Sequence, residues 1–152
     1  MWQVGVWEQE EGLAEAVSRL TGCGAALVRA CSHPALLLGT ALDLLVVSPG
    51  AAGWAGASAL TCRTALLPGG LPALTRTLPA GLVVSYGLSG RNTLTLSSLE
   101  EGRALVAVQR EFPALNGQLI ERQELAVPRE DGLAPELLLV QAGVRLLLGG
   151  GS

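Results

Sequence analysis

Short apolar runs alternate with helically spaced apolar residues over the first half of the chain. Leu13, Val17 and Leu20 recur at i, i+4 and i+7, which predicts a helix over Glu10–Thr21. The unbroken run Leu44–Val47 is typical of a parallel strand that is buried on both faces. Five segments are predicted to be strands of one parallel sheet with right-handed crossovers: Trp2–Trp7, Ala25–Arg29, Leu44–Val47, Arg63–Leu67 and Leu82–Ser85.

The connections between these strands carry helix signals of their own. Ser32-His33-Pro34 is expected to open a short helix, because serine caps well and proline suits the first turn. Further helical segments are predicted over Ala51–Leu60 and Leu71–Thr77. The first half therefore has the strand–helix alternation of an α/β protein.

The pattern changes after residue 90. Strict alternation over Thr93–Leu99 predicts an antiparallel strand, and Ala104–Phe112 and Gln118–Val127 flank Asn116-Gly117, a strong hairpin signal. A longer loop is the alternative, because Pro113 would otherwise lie in the ladder beside the turn. A last helix is predicted over Leu133–Leu148, capped by Asp131 or Gly132.

These elements predict an α/β fold with a mostly parallel, Rossmann-like sheet of about five strands. An antiparallel meander and a C-terminal helix continue it. We expect a single domain over residues 1–152, because the sequence has neither a long linker nor a repeat of solenoid period. Residues 1–90 would form the parallel α/β part, and residues 91–152 the meander and the C-terminal helix.

The second half of the chain also carries a family resemblance. The run Leu82–Gly87, followed by Asn92–Ser98, resembles the closing part of the central domain of Mur ligases. These are ATP-dependent bacterial enzymes that add amino acids to peptidoglycan precursors. The resemblance covers Leu82 to Leu148, where the order of strand, meander and helix is the same. It implies a ligase-like scaffold and a bacterial protein.

The chemistry of that family is missing from the sequence. Mur ligases use a P-loop with a lysine, and all ten basic residues of this chain are arginines. They also use a glutamate and a histidine for magnesium, and the single histidine, His33, lies outside the similar region. The resemblance therefore implies a scaffold without the ATP site, and fold kinship alone carries no function.

Composition excludes several further classes. A net charge of −3 with no basic stripe argues against nucleic-acid binding. The apolar stretches are too short for a membrane span, and Met1–Glu11 is not a signal peptide. Cys23, Cys31 and Cys62 form no CxxC pair, so neither a disulfide framework nor a metal site is predicted. We expect a cytoplasmic protein without cofactor or metal.

Two loops at predicted strand ends are candidate ligand sites. Gly50 and Gly53 lie between a buried strand and a predicted helix, where backbone amides could hold an anion. Tyr86, Arg91 and Asn92 leave the last parallel strand at its carboxyl end, where open α/β sheets bind ligands. Glycine turns and solvated loop residues are the structural alternative at both places. No catalytic residues are predicted, because Cys31-Ser32-His33 lacks a nucleophile elbow.

The C-terminal helix is apolar nearly all round, with only Glu136, Gln141 and Arg145 polar. Such a helix must be buried on more than one side, which predicts a homo-oligomer or a protein partner on this helix. Burial in a groove of its own chain is the alternative.

The sequence leaves two hypotheses for the function. One is a non-enzymatic binding or assembly module of ligase-like descent, and the other is a small enzyme that binds a nucleotide or sugar nucleotide.

Overall fold

The computed structural model describes residues 2–9, 11–21, 26–37, 39–51, 60–70, 78–129 and 133–149. These ranges contain ten β-strands, two α-helices and one short 3-10 helix at Pro34–Leu37. The helices are α1 (Leu13–Thr21) and α2 (Pro135–Leu147). The strands are β1 (Trp2–Trp7), β2 (Ala26–Cys31), β3 (Ala41–Val47), β4 (Thr61–Pro68), β5 (Ala80–Tyr86), β6 (Leu94–Glu100), β7 (Arg103–Val108), β8 (Phe112–Pro113), β9 (Leu119–Ile120) and β10 (Gln123–Pro128).

Eight of the strands form one mixed sheet in the order β10-β7-β6-β5-β4-β3-β1-β2. The predicted α/β fold, with a mostly parallel sheet, antiparallel strands at its end and a C-terminal helix, is confirmed. Six strands of the sheet are parallel, because β6 pairs with β5 in the same direction through the single register pair Tyr86–Leu94. Strands β7 and β10 are antiparallel to their neighbours.

The order β2-β1-β3-β4-β5 is the doubly wound 2-1-3-4-5 arrangement, a variant of the predicted Rossmann-like sheet. The chain leaves β1 toward one edge of the sheet and leaves β3 toward the other. The connections therefore diverge between β1 and β3, the switch point at which doubly wound sheets have a crevice outside the carboxyl ends of the strands. Such a switch point is where open α/β sheets place their ligands.

The sheet has an apolar core on each face. Alternate residues of β3 point to opposite faces, so Leu44 and Val46 pack on the side of α1 and α2, and Leu45 and Val47 pack on the other side. All four are fully buried, as the unbroken apolar run predicts. Leu37 of the 3-10 helix belongs to the second core.

Helix α2 is covered by its own chain. Eight of its residues are buried: Leu138, Leu139, Val140, Ala142, Gly143, Val144, Leu146 and Leu147. At Gly143 the helix approaches the sheet so closely that an added Cβ would lie 2.9 Å from Leu66 Cδ2. These buried positions leave little surplus apolar surface on the helix, and the expected homo-oligomer or protein partner stays a prediction. The alternative, burial within the chain, is what the structure has.

Several element boundaries differ from the sequence pattern. Helix α1 begins at Leu13 rather than Glu10. Pro113 lies in the ladder of the β8–β9 hairpin, so the loop is the longer one, Ala114–Gln118, with Gly117 at φ +86°. Ala134 is the residue that precedes α2 and its side chain makes no cap, while Pro135 supplies the first turn. The predicted caps at 131 and 132 and most of the helices at 51–60 and 71–77 lie outside the described residues.

Candidate functional site at the carboxyl edge of the sheet

The switch point lies between the segments that follow β1 and β3. Backbone hydrogen bonds continue past the strand ends here, from Glu8 N to Cys31 O at 2.9 Å and from Ser48 N to Trp7 O at 2.9 Å. These bonds fix Glu8 and Ser48 at the mouth of the crevice. Both residues are buried, with Glu8 only 8% exposed. We refer to Glu8, Glu11, Ser48, Tyr86 and Asn92 as the carboxyl-edge cluster.

The Glu8 carboxylate occupies the amino-terminal end of α1. Its Oε1 accepts hydrogen bonds from the backbone amides of Glu11 at 3.0 Å and Leu13 at 2.9 Å, and its Oε2 accepts one from Ala14 at 2.7 Å. The first amides of a helix have no partner within the helix and attract anions. Here the anion is part of the protein, so these donors are already satisfied.

Glu11 connects the two loops of the crevice. Ser48 Oγ donates a hydrogen bond to Glu11 Oε1, and the same oxygen accepts one from the backbone amide of Gln9 at 3.2 Å. Gly50, a predicted ligand residue, lies against this carboxylate, since a Cβ added there would be 3.0 Å from Glu11 Oε1. A negatively charged neighbour is unfavourable for the anion that was expected at Gly50. Gly53 lies outside the described residues.

Tyr86, the second predicted contact, is a core residue. Its side chain is fully buried, and its hydroxyl donates a hydrogen bond to the carbonyl oxygen of Val47. Burial raises the pKa of this phenol, and the nearby carboxylates of Glu11 and Glu136 raise it further. Tyr86 therefore joins the end of β5 to the end of β3 across the sheet and presents no free hydroxyl to a ligand.

Asn92 fills the space above the ends of β4 and β5. It is 6% exposed, and its Nδ2 donates to Ser89 O at 3.0 Å. A Cβ added to Gly69 would lie 1.6 Å from Asn92 Oδ1, and one added to Gly87 would lie 2.7 Å from Asn92 Nδ2. Asn92 is thus brought to the carboxyl edge, as predicted, but as a packing residue of the loop.

Arg91 remains on the surface of the same loop. Its side chain is exposed, and its carbonyl oxygen accepts a hydrogen bond from Arg110 Nη2 at 2.7 Å. Its guanidinium forms no salt bridge within the described ranges, where the ion pairs are Arg63–Asp43 and Arg103–Glu100. Of the predicted ligand residues that the structure describes, Arg91 alone keeps a polar side chain exposed to solvent.

The two charged residues of the carboxyl-edge cluster, Glu8 and Glu11, are both acidic. The carboxylates of Glu11 and Glu136 act on Tyr86, and the Glu8 carboxylate lies at the same switch point. No salt bridge within the described ranges joins these carboxylates to an arginine. These carboxylates would repel the polyphosphate of a nucleotide. The sequence analysis did not assign Glu8 and Glu11 to a candidate site. An acidic residue between a strand and a helix is nevertheless a capping signal that could have identified them.

The two thiols among the described residues, Cys31 and Cys62, are poor nucleophiles at neutral pH. Cys31 and Cys62 are both buried, which raises the pKa of each from 9.0 to about 11. At Cys31 a hydrogen bond from the His33 backbone lowers the pKa and the Glu8 carboxylate raises it, but burial dominates. Because the thiolate is the reactive species, both residues behave as small apolar core residues.

Metal centres and membrane spans are two other kinds of site to consider in the described part of the chain. No three His, Cys, Asp or Glu side chains in these ranges are grouped so that they could hold a metal ion. None of the helices in the same ranges has the length and apolar character that crossing a membrane requires. The chain matches no protein-family model, no curated protein and no solved structure.

Proposed function

We propose that this chain is a binding or assembly module without catalytic activity of its own, built on a doubly wound α/β scaffold. One observation carries the proposal: the Glu8 carboxylate accepts hydrogen bonds from three backbone amides at the start of α1. In a nucleotide-binding sheet, those donors are the ones that receive a phosphate group. A protein that supplies its own anion at this place has no need of a bound phosphate there.

The loop after β1 supports this reading in a second way. A P-loop connects a strand to a helix, which is the position of Glu8–Gly12 between β1 and α1. In this chain the loop contains three glutamates and no lysine. The order of β5, the antiparallel strands and α2 is the order that the Mur ligase resemblance implies. We propose descent from such a domain, with the ATP site replaced by internal contacts.

The alternative function is a small enzyme that binds a nucleotide or sugar nucleotide through the same loops. Two of the residues predicted to contact this ligand instead make hydrogen bonds within the chain. The Tyr86 hydroxyl donates to the carbonyl oxygen of Val47, and the Asn92 side-chain amide donates to that of Ser89. Arg91 is the exposed donor that such a ligand could use without rearrangement. The alternative therefore requires the loop between β5 and β6 to open and uncover these side chains.

A thermal-shift measurement with ATP, ADP and a UDP-sugar, each with magnesium, separates the two functions. A ligand at a hundredfold excess over its Kd adds about 2.7 kcal/mol of stability, which such a measurement detects readily. We expect no shift from any of the three compounds and no magnesium-dependent release of phosphate from ATP. A shift that the substitution Arg91→Gln abolishes would replace the proposal with the alternative.

Association with a second copy or with another protein belongs to the assembly part of the proposal. Helix α2 no longer provides the reason for it, because its apolar residues are buried within the chain. Sedimentation at micromolar concentration tests association directly. A chain that remains a monomer would restrict the function to small ligands or to a partner absent from the sample.

A further inference from the structure

A second pocket, which shares no residue with the carboxyl-edge cluster, opens between α1, α2 and the end of β10. Its volume is about 230 Å³. The two helices pack side by side, and small residues on both of them, Ala16 and Ala142, leave the space between them. The apolar side chains that line it are Ala16, Leu20, Val127, Pro128, Leu133, Leu138 and Ala142.

Two arginines from different helices line the same pocket. Arg19 comes from the last turn of α1 and Arg145 from the last turn of α2, and both are exposed. Neither forms a salt bridge with a carboxylate of the described ranges, not even Arg19 with Glu15 four residues before it. Gln141, one turn before Arg145, adds an amide to the polar rim. The pocket thus combines an apolar floor with two cations that have no described counterion.

This combination selects a particular ligand chemistry. Guanidinium groups bind carboxylate and phosphate oxygens through paired hydrogen bonds, and two of them neutralise a single anion readily. An apolar floor favours hydrocarbon over a fully polar ligand. The volume corresponds to roughly eight water molecules, so it accommodates a compact group of about that many non-hydrogen atoms. A ligand much larger than this would extend out of the pocket into solvent.

We propose that this pocket binds a small amphiphilic anion, a carboxylate or phosphate group carried on a short hydrocarbon chain. The anion lies between Arg19 and Arg145, and the hydrocarbon covers Ala16, Ala142 and the surrounding leucines. This inference goes beyond the proposed function, because it assigns a ligand class to a place that the carboxyl edge does not reach.

Methyl NMR titration tests the site with five probes of three kinds. Hexanoate and hexyl phosphate carry both features, hexan-1-ol lacks the anion, and acetate and inorganic phosphate lack the hydrocarbon. We expect hexanoate or hexyl phosphate to shift the methyl signals of Leu20, Leu133 and Leu138 with roughly millimolar affinity, as befits so small a ligand. Whichever of these two probes has the lower Kd identifies the head group, carboxylate or phosphate, that the pocket prefers. Equal binding of hexan-1-ol, or no shift at these methyl groups, overturns the proposal.

Matched substitutions localise the charge requirement. Arg19→Gln and Arg145→Gln should each weaken binding of the better probe about tenfold, which is the loss expected for one hydrogen bond to a charged group. Arg29→Gln, an exposed arginine on the edge strand β2, is the control and should leave binding unchanged. All three variants should melt like the wild type, because these side chains are exposed. Undiminished binding by the double variant Arg19→Gln/Arg145→Gln would also contradict the proposal, whatever the nucleotide screen shows at the carboxyl edge.

Discussion

The side-chain amide of Asn92 lies directly over the backbone of Gly69, where a Cβ would come within 1.6 Å of Asn92 Oδ1. Gly87 approaches the same amide from the end of β5. One buried asparagine thus closes the loop after β5 onto the ends of two neighbouring strands. A ligand that entered at this edge would first have to displace it.

Substitution Gly69→Ala should destabilise the protein by about 1–3 kcal/mol, because a methyl group cannot be accommodated without moving Asn92. Gly70→Ala is the matched control, since nothing lies within 4 Å of a Cβ there, and it should change the free energy of unfolding little. Urea denaturation measures both. Adding Asn92→Ala should relieve the clash, so the double variant should lose less than the sum of the two single variants. Additive losses would contradict the contact.

Glu8→Ala should destabilise the protein by about 2 kcal/mol, because it leaves three amides at the start of α1 without an acceptor. Sulfate should restore part of this loss by binding the vacated amides. Sulfate also stabilises proteins in general, so the quantity to compare is the rise in Tm of the variant beyond that of the wild type at equal ionic strength. Glu15→Ala, an exposed glutamate of α1, is the control and should show no such excess. An equal rise in all three proteins would count against the role given to Glu8.

Much of the fold follows from local patterns of the sequence. The five predicted parallel strands all form, because runs such as Leu44–Val47 can be buried on two faces only within a sheet covered on both sides. The start of α1 was misplaced by three residues, since the pattern does not reveal that Glu8 reaches forward to Leu13 and Ala14. The sequence left the length of the hairpin loop beside Pro113 open. The structure has a five-residue loop in which Gly117 adopts a positive φ.

The candidate site was harder to predict than the fold. The carboxyl-end rule correctly brought Tyr86 and Asn92 to the edge of the sheet, but it could not say where their side chains point. That depends on partners distant in sequence, namely Val47 for Tyr86 and Gly69 for Asn92. Arg19 and Arg145 are 126 residues apart, and only the packing of α1 on α2 brings them to one pocket.

Tyr86 is the only tyrosine of the chain, so its phenolate absorbance reports this residue alone. Because its pKa is raised in the folded protein, the unfolded chain loses the proton first, and stability should fall as the pH rises above about 10. We expect the phenolate signal to rise together with unfolding. Tyr86→Phe should remove this part of the pH dependence and cost about 1–2 kcal/mol at neutral pH. Phenolate formation in a chain that is still folded would contradict the burial of Tyr86.

The buried thiols should also make the stability of the protein fall at alkaline pH. In a Cys23→Ser background, Cys31 and Cys62 should resist a thiol reagent at pH 8 and react fully once the chain is denatured. Because burial raises both pKa values from 9.0 to about 11, their stabilising effect is complete below pH 9 and is lost as the pH rises toward 11. Chemical denaturation at several pH values measures the slope, which Cys62→Ala should reduce. Fast stoichiometric labelling of the native chain would contradict the prediction.

Leu139→Ala should destabilise the chain by about 2–5 kcal/mol, because Leu139 is fully buried in the core beneath α2. Leu36→Ala is the control: Leu36 is 70% exposed, and the change should stay within about 0.5 kcal/mol. The Tm of the wild type should not depend on protein concentration if α2 is covered by its own chain. A Tm that rises with protein concentration would indicate association. If a variant of an exposed α2 residue, such as Arg145→Ala, removed this dependence, the association surface would lie on α2.

The position of helix α2 over strands β4, β5 and β6 determines when the sheet can be covered during synthesis of the protein. Helix α2 packs across β4, β5 and β6, and Leu115, whose carbonyl accepts from Arg63 Nη2 at the start of β4, donates its amide to Leu147 O at 2.8 Å. Strands β1 to β5 are complete at residue 86, but the face of β4 and β5 that α2 covers stays exposed until the ribosome has released residue 147. A nascent chain therefore presents the apolar surface of β4 and β5 for about 60 residues of translation, several seconds at ordinary rates. Stalling a ribosome just before α2 emerges should yield a protease-sensitive chain, and stalling after it a resistant one.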